Sequence, residues 1–197
     1  IDIARASGDN GDASLADLTE RSQLLVQTDA RGNSLLDNLH SLATQPLHGK
    51  ILRDGGDEVT RSELMDSTLA DVADPTAQVT QNGANTCAST SVQIALARDD
   101  PAEYVRLLVG LSGEDGSVRM RGGGRLVLQQ ESFDDDGVVG RQRRSPSEVI
   151  FQGAAVEFAN GSNLDYNARE DGHDVGGWLE KTPVGGMDRA RECISHE

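Results

Sequence analysis

Leucines recur at helical spacing along the first part of the chain. Two groups of them, separated by the break at Arg31-Gly-Asn33, predict two helices: Leu15, Leu18, Leu24 and Leu25 in the first, and Leu35, Leu36, Leu39 and Leu42 in the second. We expect the two helices to form a helical hairpin. Residues 1–12 are polar and rich in Asp and Gly, which predicts a loosely ordered arm before them.

Three further helices carry explicit start signals. Thr60 with Glu63 forms a predicted capping box ahead of an apolar run that stops before Pro75. Asp100 followed by proline is a typical cap for another predicted helix, which contains Tyr104 to Gly110. The segment Ser145-Pro146-Ser147-Glu148 is a second capping box and predicts a helix ending at Asn160-Gly161.

Alternating apolar and polar residues mark one β-hairpin. The runs Val118 to Arg121 and Arg125 to Gln130 flank the triplet Gly122-Gly-Gly124. From Gly161 onward the chain is rich in Gly, Asp and Asn until a helix-like segment at residues 187–194. The predicted fold class is therefore α+β, predominantly helical with a small β-hairpin, and residues 13–197 are expected to form a single mostly helical domain.

Charge and missing motifs limit the function classes. The 197 residues carry a formal net charge of −15, which disfavours nucleic acid and anionic membranes as partners. The sequence contains no apolar run of about 18 residues, so it predicts no membrane-spanning helix. Neither a CxxC nor an HExxH pattern nor a phosphate-binding glycine loop occurs, so we expect no metal and no cofactor.

Cys87 is the strongest candidate for chemistry, because a helix-like run begins at this residue. At the first turn of a helix, unpaired backbone N–H groups and the positive end of the dipole favour the thiolate, the form that attacks carbonyl carbon. Gln81, on the loop before that helix, could aim its amide at the resulting oxyanion. Two alternatives stay open: Cys87 is a small buried residue of the helix, or it is bonded to Cys193.

The segment Gln81-Asn-Gly-Ala-Asn-Thr-Cys87 resembles, in spacing, the Gln-to-Cys segment of the papain-like cysteine peptidase superfamily. The resemblance covers about residues 80–110, and Thr86 and Ala88 depart from the best-known pattern around the cysteine. It implies a chain similar to the helical half of a papain-like fold, with Cys87 as nucleophile and Gln81 as oxyanion donor. The order of the family then implies His173 as general base and Asp188 as the residue that orients it.

The function implied by this resemblance is a thiol-dependent hydrolase, a cysteine peptidase or amidohydrolase that acts on a protein or peptide through a thioester. The superfamily includes deamidating and acyl-transferring bacterial toxins. Together with a composition rich in Asp and Arg and poor in Lys, this implies a bacterial toxin or effector that is secreted, although the sequence itself leaves the compartment open. The rival hypothesis is a non-catalytic helical protein-interaction module or an inactive relative.

A last expectation concerns the extent of the chain. It stops at Glu197 without a strand-rich half. An alternative to an in-chain base is therefore that the chain is one part of a larger enzyme whose histidine-bearing half is missing or is a second chain.

Overall fold

The computed structural model describes residues 1–8, 10–49, 51, 59–80, 86–129 and 144–160. Most of these residues are helical, and the strands among them form one two-stranded antiparallel sheet. This confirms the predicted α+β class, predominantly helical with a small hairpin. No helix in the described ranges is long and apolar enough to cross a membrane.

The helices and strands of the described residues are numbered in chain order. The helices are α1 Asp2–Ala6, α2 Gly11–Glu20, α3 Ser22–Leu25, α4 Leu35–Thr44, α5 Arg61–Ala73, α6 Pro75–Gln78, α7 Cys87–Asp99, α8 Pro101–Ser112 and α9 Pro146–Asn160, and the strands are β1 Ser117–Arg119 and β2 Arg125–Val127.

The N-terminal segment differs from its prediction. Helix α1 lies within the expected arm, and its Ile3 is buried against the core beside α4. The backbone N–H of Gly8 donates to Asp66 Oδ1 at 2.7 Å, which ties the following turn to α5. An apolar anchor and a long-range hydrogen bond thus order the described part of residues 1–12, and the expectation of a loose arm is corrected there.

The predicted pair of leucine helices is also different in the structure. The first is divided into α2 and α3, because the backbone of Arg21 leaves the helical region at φ −95° and ψ 46°. Helix α2 packs mainly against α5, and α4 packs mainly against α8. The expectation of a helical hairpin is therefore wrong, since each apolar face is covered by a helix much later in the chain.

The capped helices begin where their signals predict. In α5, Thr60 Oγ1 accepts from the Glu63 N–H at 3.2 Å and Glu63 Oε2 accepts from the Thr60 N–H at 2.8 Å, a complete capping box. Helix α8 begins at Pro101 and α9 at Pro146, each with proline in its first turn. Helices α7 and α8 pack against one another, as predicted for consecutive helices with a short connection.

Helix α8 is the centre of the molecule. It contacts α4, α7, α9 and β1, and its residues from Pro101 to Leu108 are all buried. The ring of Tyr104 meets that of Phe151 on α9 edge to face, with 5.6 Å between centroids. On the other side, a Cβ on Gly110 would lie 2.4 Å from Val118 Cβ, so only glycine lets the hairpin approach this closely.

Candidate functional site

Helix α7 begins at Cys87, and the thiol of that residue is exposed and free. The predicted helix start is confirmed. Because the side chain faces solvent, the alternative in which Cys87 is a buried core residue is contradicted. The second cysteine, Cys193, lies outside the described residues.

The N-terminus of α7 is not neutralised by its own cap. Thr86, the N-cap residue, is fully buried and its side chain makes no capping bond. Its hydroxyl instead donates to Gln152 Oε1 on α9 at 2.7 Å. The first turn of α7 also contains no acidic residue. The positive end of the helix dipole therefore has no compensating cap or carboxylate from within the helix.

Gln152 fixes both flanks of the segment that leads into α7. While its Oε1 accepts from Thr86, its Nε2 donates to the Thr80 carbonyl oxygen at 2.9 Å. Thr80 is held a second time, because its N–H and its hydroxyl both donate to Glu148 Oε1, the latter at 3.1 Å. One buried amide and one buried carboxylate on α9 thus anchor residues 80 and 86, on either side of residues 81–85.

A second buried centre lies behind this anchor. Asp71 Oδ2 on α5 accepts hydrogen bonds from Tyr104 OH and Ser147 Oγ, both at 2.6 Å, and from Gln93 Nε2 at 3.2 Å. Gln93 Oε1 in turn accepts from Gln152 Nε2 at 2.9 Å. The network therefore runs from α5 and α8 through α7 to α9, and it reaches the start of α7 through Gln152.

Burial raises the pKa of Asp71 to about 7, and the charge of Glu148 acts in the same direction. The hydrogen bonds from Ser147, Tyr104 and Gln93 oppose this rise. Burial, followed by the charge of Asp71, raises the pKa of Tyr104 well above its ordinary value. The carboxyl of Asp71 therefore titrates near neutral pH, while the Tyr104 hydroxyl remains a donor.

The remaining predicted site residues are not placed by the structure. Gln81, His173 and Asp188 all lie outside the described residues, as does the segment 187–194. The described histidines occupy other regions. His40 Nδ1 lies 3.6 Å from Asp2 Oδ2 near α1. The backbone N–H of His48 donates to the Ser112 carbonyl oxygen at the end of α8.

Within the described ranges, no three side chains of His, Cys, Asp or Glu are grouped so that they could hold a metal ion.

The sequence contains one indication of the buried network, namely two glutamines that stand within apolar helical stretches. Gln93 follows Val92 and precedes Ile94, and Gln152 follows Phe151 in an equally apolar stretch of α9. An amide in an apolar, buried stretch must find hydrogen-bond partners, because leaving it unpaired is costly. Those positions mark the residues that hold the start of α7.

A scan against protein-family models, a search of curated proteins and a search of solved structures find no match for this chain. The resemblance to papain-like peptidases therefore rests on the residues around Gln81 and Cys87. The site geometry carries the functional proposal.

Proposed function

We propose that the protein is a thiol-dependent hydrolase, a cysteine peptidase or amidohydrolase similar to the papain-like superfamily, with Cys87 as its nucleophile. The observation that carries the proposal is the free, exposed thiol at the first residue of α7. A binding or catalytic loop on a rigid scaffold is a common design for an active site. Here Gln152 and Glu148 supply that scaffold at Thr80 and Thr86.

The start of α7 favours the charges that this reaction develops. The thiolate of Cys87 attacks the carbonyl carbon of an amide, and the carbonyl electrons move to oxygen. The positive end of an uncapped helix stabilises negative charge at both the sulfur and the oxygen. When the oxyanion collapses, the C–N bond breaks, the amine leaves with a proton from the base, and a thioester remains. Water then attacks the thioester, releasing the acid and restoring the thiol.

Three further residues complete the proposed mechanism. Gln81 would donate a hydrogen bond to the oxyanion, and its position next to the anchored Thr80 supports this role. His173 would act as the base and Asp188 would orient it, roles that rest on their order in the chain. The substrate class is a protein or peptide amide, and a bacterial toxin or effector role belongs to the same proposal.

Acyl transfer from a small activated ester to Cys87, with release of p-nitrophenolate, tests the proposal without knowledge of the natural substrate. We expect p-nitrophenyl acetate to place one acetyl group on Cys87, detected by peptide mass mapping, and we expect the acetyl group to be lost again by hydrolysis. Cys87→Ala should abolish the acetylation, and Cys87→Ser should retain little of it. A stable acetyl-Cys87 that never hydrolyses, or acetylation confined to Cys193, would contradict the proposal and favour the interaction module.

A further inference from the structure

A large polar cavity lies between α4, α8 and the β-hairpin, built from other residues than the start of α7. Its volume is about 700 Å³, which is within the range of small-molecule sites. Four arginines line it, namely Arg31, Arg106, Arg119 and Arg125. With three carboxylates on the same wall the lining still carries a net positive formal charge, although the net charge of the chain is −15.

Two of these arginines face each other across the hairpin. Arg119 on β1 pairs directly with Arg125 on β2 in the antiparallel register. Like charges placed directly opposite one another destabilise a pair of strands. Arg125 donates through Nε to Ser117 Oγ at 3.0 Å, and neither arginine forms an ion pair with a carboxylate in the described part of the chain. An anion between the two guanidinium groups would relieve this repulsion.

Arg106 supplies a second, independent indication at the same cavity. It is only 4% exposed, and it holds the buried Glu103 through Nε and Nη2 at 2.7 and 2.6 Å. Nη2 also donates to the Arg119 carbonyl oxygen at 3.0 Å, which joins α8 to β1. Nη1 has no hydrogen-bond partner among the described residues. A buried N–H group without an acceptor is rare in folded proteins, and a ligand oxygen would satisfy it if binding shifted the Arg106 side chain toward the cavity.

Carboxylates on the same cavity limit the charge of the ligand. Asp37, Glu114 and Asp115 line the wall with the arginines. The Asp37 carboxylate is engaged by Ser34, whose N–H donates at 3.0 Å and whose hydroxyl donates at 2.6 Å. A polyanion would meet these negative charges, so the cavity suits a ligand with a single oxyanionic group and other polar atoms.

We propose that this cavity is a binding site for a small molecule that carries one carboxylate or phosphate group, held between Arg119 and Arg125 and backed by Arg31 and Arg106. Planar guanidinium groups bind either oxyanion through paired hydrogen bonds. The site is separate from Cys87 and does not depend on the proposed hydrolase activity.

Thermal unfolding of the whole chain tests the site with two probes, inorganic phosphate and acetate, each compared with sodium chloride at equal ionic strength. At a probe concentration about five times Kd, we expect the midpoint to rise by about 2 to 4 °C beyond the effect of sodium chloride. A rise with phosphate alone identifies a phosphate ligand, and a rise with acetate alone identifies a carboxylate ligand. No rise beyond sodium chloride with either probe overturns the proposal.

Variants of the hairpin distinguish binding from a structural role of the arginines. Arg119→Gln and Arg125→Gln should each remove the ligand-induced rise, and without ligand each should leave the midpoint unchanged or higher because the repulsion is gone. Arg98→Gln is the matched control, since Arg98 is exposed on α7 and paired with Asp99 outside the cavity. It should retain the full rise. Retention of that rise in both hairpin variants would overturn the site.

Discussion

The starts of α7 and α8 show two ways to begin a helix in the same helical pair. At α8, Asp100 accepts from the Glu103 N–H at 3.2 Å, proline follows at the first position, and Arg121 pairs with the cap at 2.8 Å. At α7, the N-cap hydroxyl turns away to Gln152 and the first turn has no acidic residue. The first arrangement stabilises the helix end, and the second keeps it open beside a free thiol.

The difference indicates that the start of α7 is not optimised for helix stability. A side-chain cap is worth about 1 kcal/mol, and α7 forgoes it although Thr86 is a residue type that caps well. What α7 has instead is a buried polar network that holds its N-terminal approach from behind. Such local inconsistency is typical of functional sites, because their geometry is set by chemistry rather than by the free energy of folding.

The largest effect is expected for Gln152→Leu, which removes the anchor but keeps the side-chain volume. The substitution leaves Thr80, Thr86 and Gln93 without their buried partner. At about 1–3 kcal/mol for each of these three unsatisfied groups, the free energy of unfolding should fall by about 3 to 9 kcal/mol. Chemical denaturation measures this loss, and alkylation of Cys87 in the folded variant should be slower than in the wild type.

Leu42→Ala is the matched control for general destabilisation. Leu42 is fully buried on α4, and its truncation should cost about 2–5 kcal/mol. Under conditions where both variants are folded, Leu42→Ala should leave the alkylation rate of Cys87 at the wild-type value. If the two variants slow alkylation equally, Gln152 has no specific role at the start of α7.

The second-largest effect is expected in the pH dependence of the free energy of unfolding, through the buried carboxyl of Asp71. Burial raises the pKa of Asp71 from 3.8 to about 7, so the folded protein holds a proton that the unfolded chain has released. Between pH 4 and 7, this group therefore lowers the free energy of unfolding as pH rises, by up to about 1.4 kcal/mol per pH unit. The stability that it contributes is complete below pH 4 and is lost by the time the pH exceeds about 7.

Asp71→Asn should remove this slope, because the amide resembles the protonated carboxyl at every pH. The measurement is the free energy of unfolding of wild type and variant from pH 4 to 8, and their difference isolates Asp71 from all other groups. Tyr104→Phe removes one donor to the carboxylate and should extend the slope to higher pH. Parallel pH curves for wild type and Asp71→Asn would show that Asp71 is not protonated in the folded protein near neutral pH.

The smallest effect tests the open helix end itself. Cys87→Asp places a carboxylate at the first residue of α7, where it should raise the free energy of unfolding by about 0.5 kcal/mol through the dipole. Ser91→Asp adds the same charge one turn later at another exposed position and should give no gain. Denaturation midpoints compare the two. An equal change in both variants would mean that the start of α7 is already neutralised.

Local signals explain what the sequence could predict. Capping boxes at Thr60 and Ser145, proline after Asp100, and the glycine triplet between β1 and β2 each act within a few residues, and the elements begin or turn where these signals stand. The placement of Cys87 at a helix start follows from the same kind of local pattern.

The features that the sequence could not predict depend on contacts between residues that are far apart in the chain. An apolar stripe does not specify which helix will cover it, so the pairing of α2 with α5 and of α4 with α8 was missed. The bond between Thr86 and Gln152 joins residues 66 positions apart, and that between Asp71 and Ser147 joins residues 76 apart. The arginine cavity likewise depends on a strand register that brings Arg119 opposite Arg125.

The rate of iodoacetamide alkylation at Cys87, followed by peptide mass mapping at pH 7 in the folded protein and in denaturant, tests the central claim most directly. If the start of α7 activates the thiol, the folded protein should react about two- to threefold faster than the unfolded chain, in which the helix is absent. Equal or slower alkylation of the folded protein, despite the exposure of Cys87, would contradict the account.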